Sequence, residues 1–315
     1  MQRVTVIAPA RLHLGFVGLN SSSAPELGAL GVAIQRPSMT VRAQKSLRWN
    51  VSGSMQGEVR RCIDRLITAF ELEQPLHFEV ASTIPAHIGL GSGTQLALAV
   101  GVSIMRLNDI SIPIARLSHL LRRGERSGIG TAAFLQGGFL VDTHASTKDE
   151  VRTIAHRLEF PANWRILLIF DDDYQGTHGD IETDAFCKLG GFSDSLTERL
   201  QRILLDQVLP ALERGDVTDF GDGITTIQRH VGDFFSPIQG GRYLSPGVAD
   251  VLSIAEKLGG VGVGQSSWGP TGFVILDTES SALELQTELL ETRKSFGVRL
   301  EICKGRNEGA QIQVE

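Results

Sequence analysis

Ile84-Pro85-Ala86-His87-Ile88-Gly89-Leu90-Gly91-Ser92-Gly93-Thr94-Gln95 runs directly into Leu96-Ala97-Leu98-Ala99-Val100-Gly101. Upstream, Leu76, Phe78 and Val80 alternate with His77, Glu79 and Ala81, the period of a strand. Downstream, Thr94 to Leu107 is apolar nearly all round, which predicts a buried helix. Three glycines in five residues join the two. A strand–glycine loop–helix unit leaves backbone N–H groups at the positive end of a helix, where phosphate binds. Glycine also lets that backbone approach a ligand closely. The same residues would serve as a tight turn in front of a core helix. The loop lacks the Lys-Ser/Thr ending of a P-loop, and it is not a G-x-G-x-x-G unit at the start of the chain.

Working outward, Val4, Val6 and Ala8 predict a first strand that continues past Pro9 through Leu12, Leu14 and Phe16. Arg11 and His13 share its other face, either as a solvated face or as a cation and a titratable donor turned to an anion. Leu30–Ile34 and Met39–Ala43 predict further strands, and Gly57 to Phe70 an amphipathic helix. A helix over Ile114, Leu117 and Leu121, with Ser111 as its cap, ends in Arg122-Arg123-Gly124-Glu125-Arg126 before Ser127-Gly128-Ile129-Gly130. Those arginines suit a phosphate or the negative end of their own helix. In the second half, Arg165–Phe170 predicts a buried strand ending in Asp171-Asp172-Asp173, and His178 and Glu182 follow in a loop. Ser195-x-x-Glu198 reads as a capping box, and Ser245-Pro246 as a helix start that stops at Gly259-Gly260. Gly264-Gln265-Ser266-Ser267-Trp268-Gly269-Pro270-Thr271-Gly272 then leads into a strand. Strands and helices alternate without a repeat, which predicts an α+β fold.

A chain of 315 residues suits two domains. Its 42% hydrophobic content is that of a globular protein, and its net charge of −6 gives no footprint for nucleic acid. Cys62, Cys187 and Cys303 are odd in number and far apart, so reduced thiols in a cytoplasmic protein are expected. The first apolar run contains Arg3 and Arg11, unlike a signal peptide, and no apolar run reaches the ~18 residues of a membrane span.

Ala8-Pro9-Ala10-Arg11-Leu12-His13-Leu14, Ile88-Gly89-Leu90-Gly91-Ser92-Gly93-Thr94 and the late glycine-rich segment resemble the three ordered motifs of the GHMP kinase superfamily. Within it, Gly89 to Gln95, Ser127-Gly128-Ile129-Gly130 and Gly264 to Gly272 resemble the β-ribofuranosylaminobenzene 5′-phosphate synthases. The resemblance implies a two-domain GHMP fold. Residues 1–155 would form an N-terminal half of the ribosomal protein S5 domain 2 type, and residues 156–315 a ferredoxin-like C-terminal half. It implies a decarboxylating pentosyltransferase of tetrahydromethanopterin biosynthesis that joins 5-phosphoribosyl 1-diphosphate to 4-aminobenzoate or 4-hydroxybenzoate, with Mg²⁺ as cofactor and a homodimeric state. Arg11 and His13 become candidates for catalysis, and Ser92 for holding the metal. Candidates for binding phosphate or substrate are Gly89, Gly91, Ser92, Gly93, Thr94, Gln95, Ser127, Gly128, Gly130, Gln265, Ser266, Ser267, Trp268, Pro270 and Thr271, with Arg123 and Arg126 beside them. Trp268 with Gln265, Ser266 and Ser267 would hold the aromatic acid.

Related sugar and mevalonate kinases carry Ser-Gly-x-Asp where this chain has Gly130, and a metal-binding Glu on the preceding helix, where Pro113 to Gly124 has no carboxylate. An ATP-dependent small-molecule kinase would therefore need another carboxylate, such as Asp142 or Asp171, to hold Mg²⁺. The chain also departs from the synthase pattern. Val17-Gly18-Leu19-Asn20 and Pro25-Glu26-Leu27-Gly28 stand where an acid and an arginine pair are expected, which leaves a non-catalytic homologue that binds a phosphorylated ligand as a third reading.

Overall fold

The computed structural model describes residues 2–19, 27–143, 152–176, 189–292 and 297–315. Strand β1 (Arg3–Phe16) runs antiparallel to β2 (Leu27–Lys45), with a register shift between Pro9 and Ala10. The two runs read separately at Leu30–Ile34 and Met39–Ala43 are parts of this one long strand. Its length lets β2 serve two further neighbours: β5 (Phe139–Thr143) along its first part and β4 (Leu76–Ser82) along its second. Strand β3 (Asn50–Gly53) lies parallel to β4, connected through helix α1 (Gln56–Phe70). A parallel pair needs such a crossover. Strand β6 (Ile154–Leu158) pairs with β5, and β11 (Gln311–Val314) returns from the end of the chain to pair with β1. The expected division at residue 155 thus falls inside β6, and the last strand belongs to the first sheet.

Helix α2 (Ser92–Leu107) is buried on nearly every side, as its all-round apolar sequence requires. Gly101 brings it close to helix α3 (Ile114–Leu120), since a Cβ there would come within 2.8 Å of the Leu117 side chain. Helix α4 (Ile129–Leu135) packs beside it. Pro113, not Ser111, stands at the N-cap of α3, and no side chain caps that end.

The second sheet contains β7 (Arg165–Asp171), β8 (Val261–Gln265), β9 (Gly272–Leu276) and β10 (Val298–Cys303) in the antiparallel order β10-β7-β9-β8. This is the strand order of a ferredoxin-like unit, as the C-terminal half was expected to show. Along β7, Leu167 and Ile169 pack with helices α8 (Pro246–Lys257) and α9 (Glu279–Thr292), while Ile166, Leu168 and Phe170 join the larger core. That core also takes Phe220, Ile224 and Ile227 of helix α7 (Val217–Gln239) and both faces of α2. Between β7 and α7 come α5 (Asp194–Ile203), a π turn at Leu204–Val208 and α6 (Leu209–Arg214). Ser193 caps α5 by accepting from Leu196 N–H, so the cap lies two residues before the Ser195 expected from the pattern. Ser245 caps α8 with Pro246 at its first position, as expected. No helix among the described residues is long and apolar enough to cross a membrane.

Candidate active site

The glycine loop leaves β4 and closes onto the N-terminus of α2. Gly89 and Gly91 hold φ values of +85° and +83°, a region that L side chains rarely adopt. A Cβ at Gly89 would lie 2.1 Å from the Ser266 carbonyl oxygen. A Cβ at Gly91 would stand 3.2 Å from the Arg11 side chain, and one at Gly93 would stand 3.3 Å from Arg123 Nη1. Two guanidinium groups therefore flank the first turn of α2, and each glycine makes room for one of them. Thr94 and Gln95 N–H both donate to the Gly91 carbonyl at 3.1 Å. The Ser92 and Gly93 N–H groups, by helix geometry, are left for a ligand.

The other two motifs hold this loop in place. Ser266 Oγ donates to the Gly89 carbonyl at 2.7 Å and accepts from His13 N–H at 3.0 Å. Thr271 Oγ1 donates to the Ile88 carbonyl at 2.7 Å, and Ser267 N–H donates to the His13 carbonyl at 3.3 Å. Gly269 packs its backbone against Ile88 and Gly89 so closely that a Cβ would fall 2.1 Å from the Ile88 carbonyl carbon. Arg11 donates through Nη1 to the Gly89 carbonyl. Gln265 uses its amide on neighbouring backbone, accepting from Leu244 N–H at 2.6 Å and donating to the Ser267 carbonyl at 3.0 Å. Gln95 is fully buried and donates to the Gly130 carbonyl at 2.8 Å, tying α2 to α4. Ser266, Thr271, Gln265 and Gln95, read from sequence as ligand-binding, thus spend the hydrogen bonds seen here on the scaffold, and Pro270 is buried behind them.

What remains is an open cleft of about 410 Å³ over the helix terminus, with Gly91 to Thr94 on one side and Ser267, Trp268 and Gly269 on the other. Arg11, Arg61 and Arg123 line it, and Glu58 is the acidic group in its wall among the described residues. Glu58 is paired with Arg61 at 3.2 Å. Three cations at a helix N-terminus favour an anion with several negative oxygens. Arg61 and Glu58 carried no signal in the sequence, because they stand on the polar face of an ordinary amphipathic helix.

His13 lies deeper. It is 3% exposed, stacks obliquely on Phe16 with centroids 4.7 Å apart, and its Nε2 has no hydrogen-bond partner among the described residues. Burial, helped by the nearby Arg11 and Arg152, lowers its pKa to about 3, so the ring is neutral. The space beside it, bounded by Phe16, Phe235 and Trp268, measures about 20 Å³. That is room for roughly one water.

Ser127, Gly128 and Gly130 stand apart from the cleft wall. Asp142, fully buried in β5, accepts from Gly128 N–H, from Ser127 Oγ at 3.1 Å and from Ala29 N–H at 2.6 Å. Desolvation raises its pKa to about 6 despite Arg152 nearby. Asp171 accepts from Ser245 Oγ and from Asp173 N–H at 3.1 Å. Neither carboxylate lines the cleft, so neither takes over the metal-holding role that the kinase reading required. Among the described residues, no group of three His, Cys, Asp or Glu could hold a metal ion. Gly18 donates to the Gly28 carbonyl at 3.1 Å. Asn20, Pro25, Glu26, His178, Glu182 and Cys187 lie outside the described residues, while Cys62 and Cys303 are buried free thiols.

A glycine loop feeding a buried helix, set between an N-terminal mixed sheet and a ferredoxin-like sheet, defines the class. Residues 58–138 match the GHMP kinases N terminal domain and residues 208–294 the GHMP kinases C terminal domain. The chain belongs to the GHMP kinase superfamily. Along its whole length it is similar to proteins named β-ribofuranosylphenol 5′-phosphate synthase. It is 28% identical to that of Archaeoglobus fulgidus, over 97% of this chain and 98% of the relative. It is also 28% identical to that of Methanothermobacter thermautotrophicus, over 96% of each. Among solved structures, a homoserine kinase from Cytophaga hutchinsonii superposes with a TM-score of 0.70 at 19% identity, covering 99% of this chain and 97% of that one. Mevalonate diphosphate decarboxylase from Staphylococcus aureus superposes with a TM-score of 0.67 at 12% identity, covering 99% and 98%. These structures share the fold.

Proposed function

We propose that this chain is a decarboxylating phosphoribosyl transferase, a β-ribofuranosylphenol 5′-phosphate synthase of tetrahydromethanopterin biosynthesis. In the reaction, the ring carbon bearing the carboxylate of 4-hydroxybenzoate or 4-aminobenzoate forms a bond to the anomeric carbon of phosphoribosyl diphosphate. The bond from that carbon to diphosphate breaks, and CO₂ leaves as its electron pair returns to the ring. The observation that carries this reading is the match to synthases over nearly the full length of both chains, and the cleft accords with it. Diphosphate departure builds negative charge, which Arg11, Arg61, Arg123 and the free N–H groups at the α2 terminus are placed to stabilise. A site that holds both partners side by side also supplies the orientation that a carbon–carbon bond needs.

Mg²⁺, when bound, would neutralise part of the diphosphate charge. Ser92 and Glu58 are the groups in the cleft that suit it, too few for a protein cage, so the metal would come held chiefly by substrate oxygens. For the kinase reading, the acid in the cleft among the described residues is Glu58, which is paired with Arg61 rather than placed for an acceptor hydroxyl, and the homoserine kinase likeness at 19% identity shows the fold alone.

The test is release of ¹⁴CO₂ from carboxyl-labelled 4-hydroxybenzoate, and from the 4-amino acid, with phosphoribosyl diphosphate and Mg²⁺. Gly91→Asp serves as control, because its carboxylate would stand against Arg11 in the anion site. Release above that control supports the synthase. Binding of phosphoribosyl diphosphate without release would leave a homologue that kept the cleft and lost the reaction.

A further inference from the structure

Behind Arg123 lies a second cavity, of about 320 Å³, lined by α3, α4 and the start of β6. It falls in the range of roughly 300–1,000 Å³ found for small-ligand sites. The water-sized space of about 20 Å³ beside His13 and Trp268 does not admit a benzene ring. Arg123 stands in the wall of both this cavity and the glycine-loop cleft. Its Nε is buried and has no hydrogen-bond partner among the described residues, an arrangement that an anionic ligand would stabilise. Ala115, Ala132, Leu135 and Ile154 supply an apolar lining.

Two hydroxyls in this cavity have a determined polarity. Ser118 Oγ donates to the Arg123 carbonyl at 3.0 Å and lies 2.9 Å from Thr131 Oγ1. A serine hydroxyl carries one proton. With that proton on the carbonyl, Thr131 must be the donor between the two hydroxyls. Thr131 Oγ1 is then left with lone pairs and no proton, and can only accept. Gly124, at φ +85°, keeps the pair uncovered, because a Cβ there would sit 3.5 Å from one oxygen and 3.6 Å from the other. A ligand end that donates a hydrogen bond matches this corner.

We propose that the cavity is the subsite for the aromatic acid, a para-substituted benzoate. Its carboxylate lies at Arg123, its ring lies among Ala115, Ala132, Leu135 and Ile154, and its para-hydroxyl or para-amino group donates to Thr131 Oγ1. The inference rests on the synthase reading. It places the carboxylate-bearing carbon on the side facing the cleft, where the anomeric carbon must stand. It also gives Thr131 a part in specificity. A hydrogen bond accepted from the para substituent pushes electron density toward the carbon opposite it, the one that attacks.

Calorimetric titration of the full chain with 4-hydroxybenzoate and with benzoate, at saturating inorganic diphosphate, tests the assignment. The wild type is expected to prefer 4-hydroxybenzoate by roughly tenfold, about the worth of one hydrogen bond. In Thr131→Val, which removes the acceptor and keeps the shape, the two acids should bind alike. Ala115→Trp should abolish binding of both acids while diphosphate still binds. If that variant does not melt cooperatively, Leu135→Trp on the exposed rim fills the same space. A hydroxyl preference that survives in Thr131→Val, acids that still bind the filled variant, or a wild type that binds neither acid would overturn the proposal. ¹⁴CO₂ release with that surviving preference leaves the synthase and removes the subsite. A preference lost in Thr131→Val without CO₂ release keeps the subsite and removes the synthase.

Discussion

His13 shows how burial sets chemistry at a single residue. Folding takes its ring from water and places it near two arginines, so the neutral form is favoured and the pKa drops from 6.5 to about 3. A neutral imidazole with an open Nε2 accepts a hydrogen bond and is too weak a base to take a proton near neutrality. The depressed pKa contributes stability that is complete above pH 6.5 and is lost as the pH falls toward 3. Chemical denaturation of wild type and His13→Gln across this window should show the wild type losing up to roughly 3 kcal/mol relative to the variant between pH 6.5 and 4. Parallel stability curves would show that the ring is hydrated in solution.

Among the elements, the turn between β8 and β9 matters most to the cleft. It touches the glycine loop backbone to backbone at Gly269, and its Ser266 and Thr271 hydroxyls satisfy the Gly89 and Ile88 carbonyls. Close approach of two main chains tolerates no Cβ, so Gly269→Ala must push the loops apart. We expect a loss of about 2–4 kcal/mol by thermal or denaturant unfolding, in the range of backbone strain and overpacking. Binding of phosphoribosyl diphosphate, read by calorimetry in the folded fraction, should weaken as well. A variant with unchanged melting temperature and unchanged affinity would contradict this account of the turn. The element-level reading from sequence placed this turn over the cleft, but assigned its polar side chains to the ligand. Hydroxyl and amide groups carry no mark in sequence of whether they will meet a substrate or a neighbouring carbonyl.

On the scale of the whole molecule, the end of the chain closes the first sheet. β11 pairs with β1 from Val4–Val314 to Ile7–Gln311, and the Arg3 and Glu315 backbones bond to each other. Removing residues 311–315 would leave the outer edge of β1 unpaired, and β1 carries Arg11 and His13. An exposed edge is a template for association. The truncated chain should melt several degrees lower, with an added concentration-dependent association in light scattering, while the second sheet keeps its packing. An unchanged melting temperature would mean that β11 only decorates the sheet. The return of this strand was not legible in advance, since four alternating residues at a terminus do not say which of two sheets they will join.

The sequence by itself determined the class of fold, the strand–glycine loop–helix unit and the three motifs that meet around it. The first two depend on local regularities (a period of two, an all-apolar helix, and glycines where φ is positive), and the motifs on their resemblance to a known superfamily. The tertiary structure alone decided which polar groups face the cleft. It brought Arg61 from helix α1 and Arg123 from the loop after α3 to the α2 terminus, buried Asp142 behind the Ser127 turn, and directed the Ser266, Thr271 and Gln265 side chains into the scaffold. Hydrogen bonds and charge pairs between residues far apart in the chain are set by packing, and packing is a property of all the elements together.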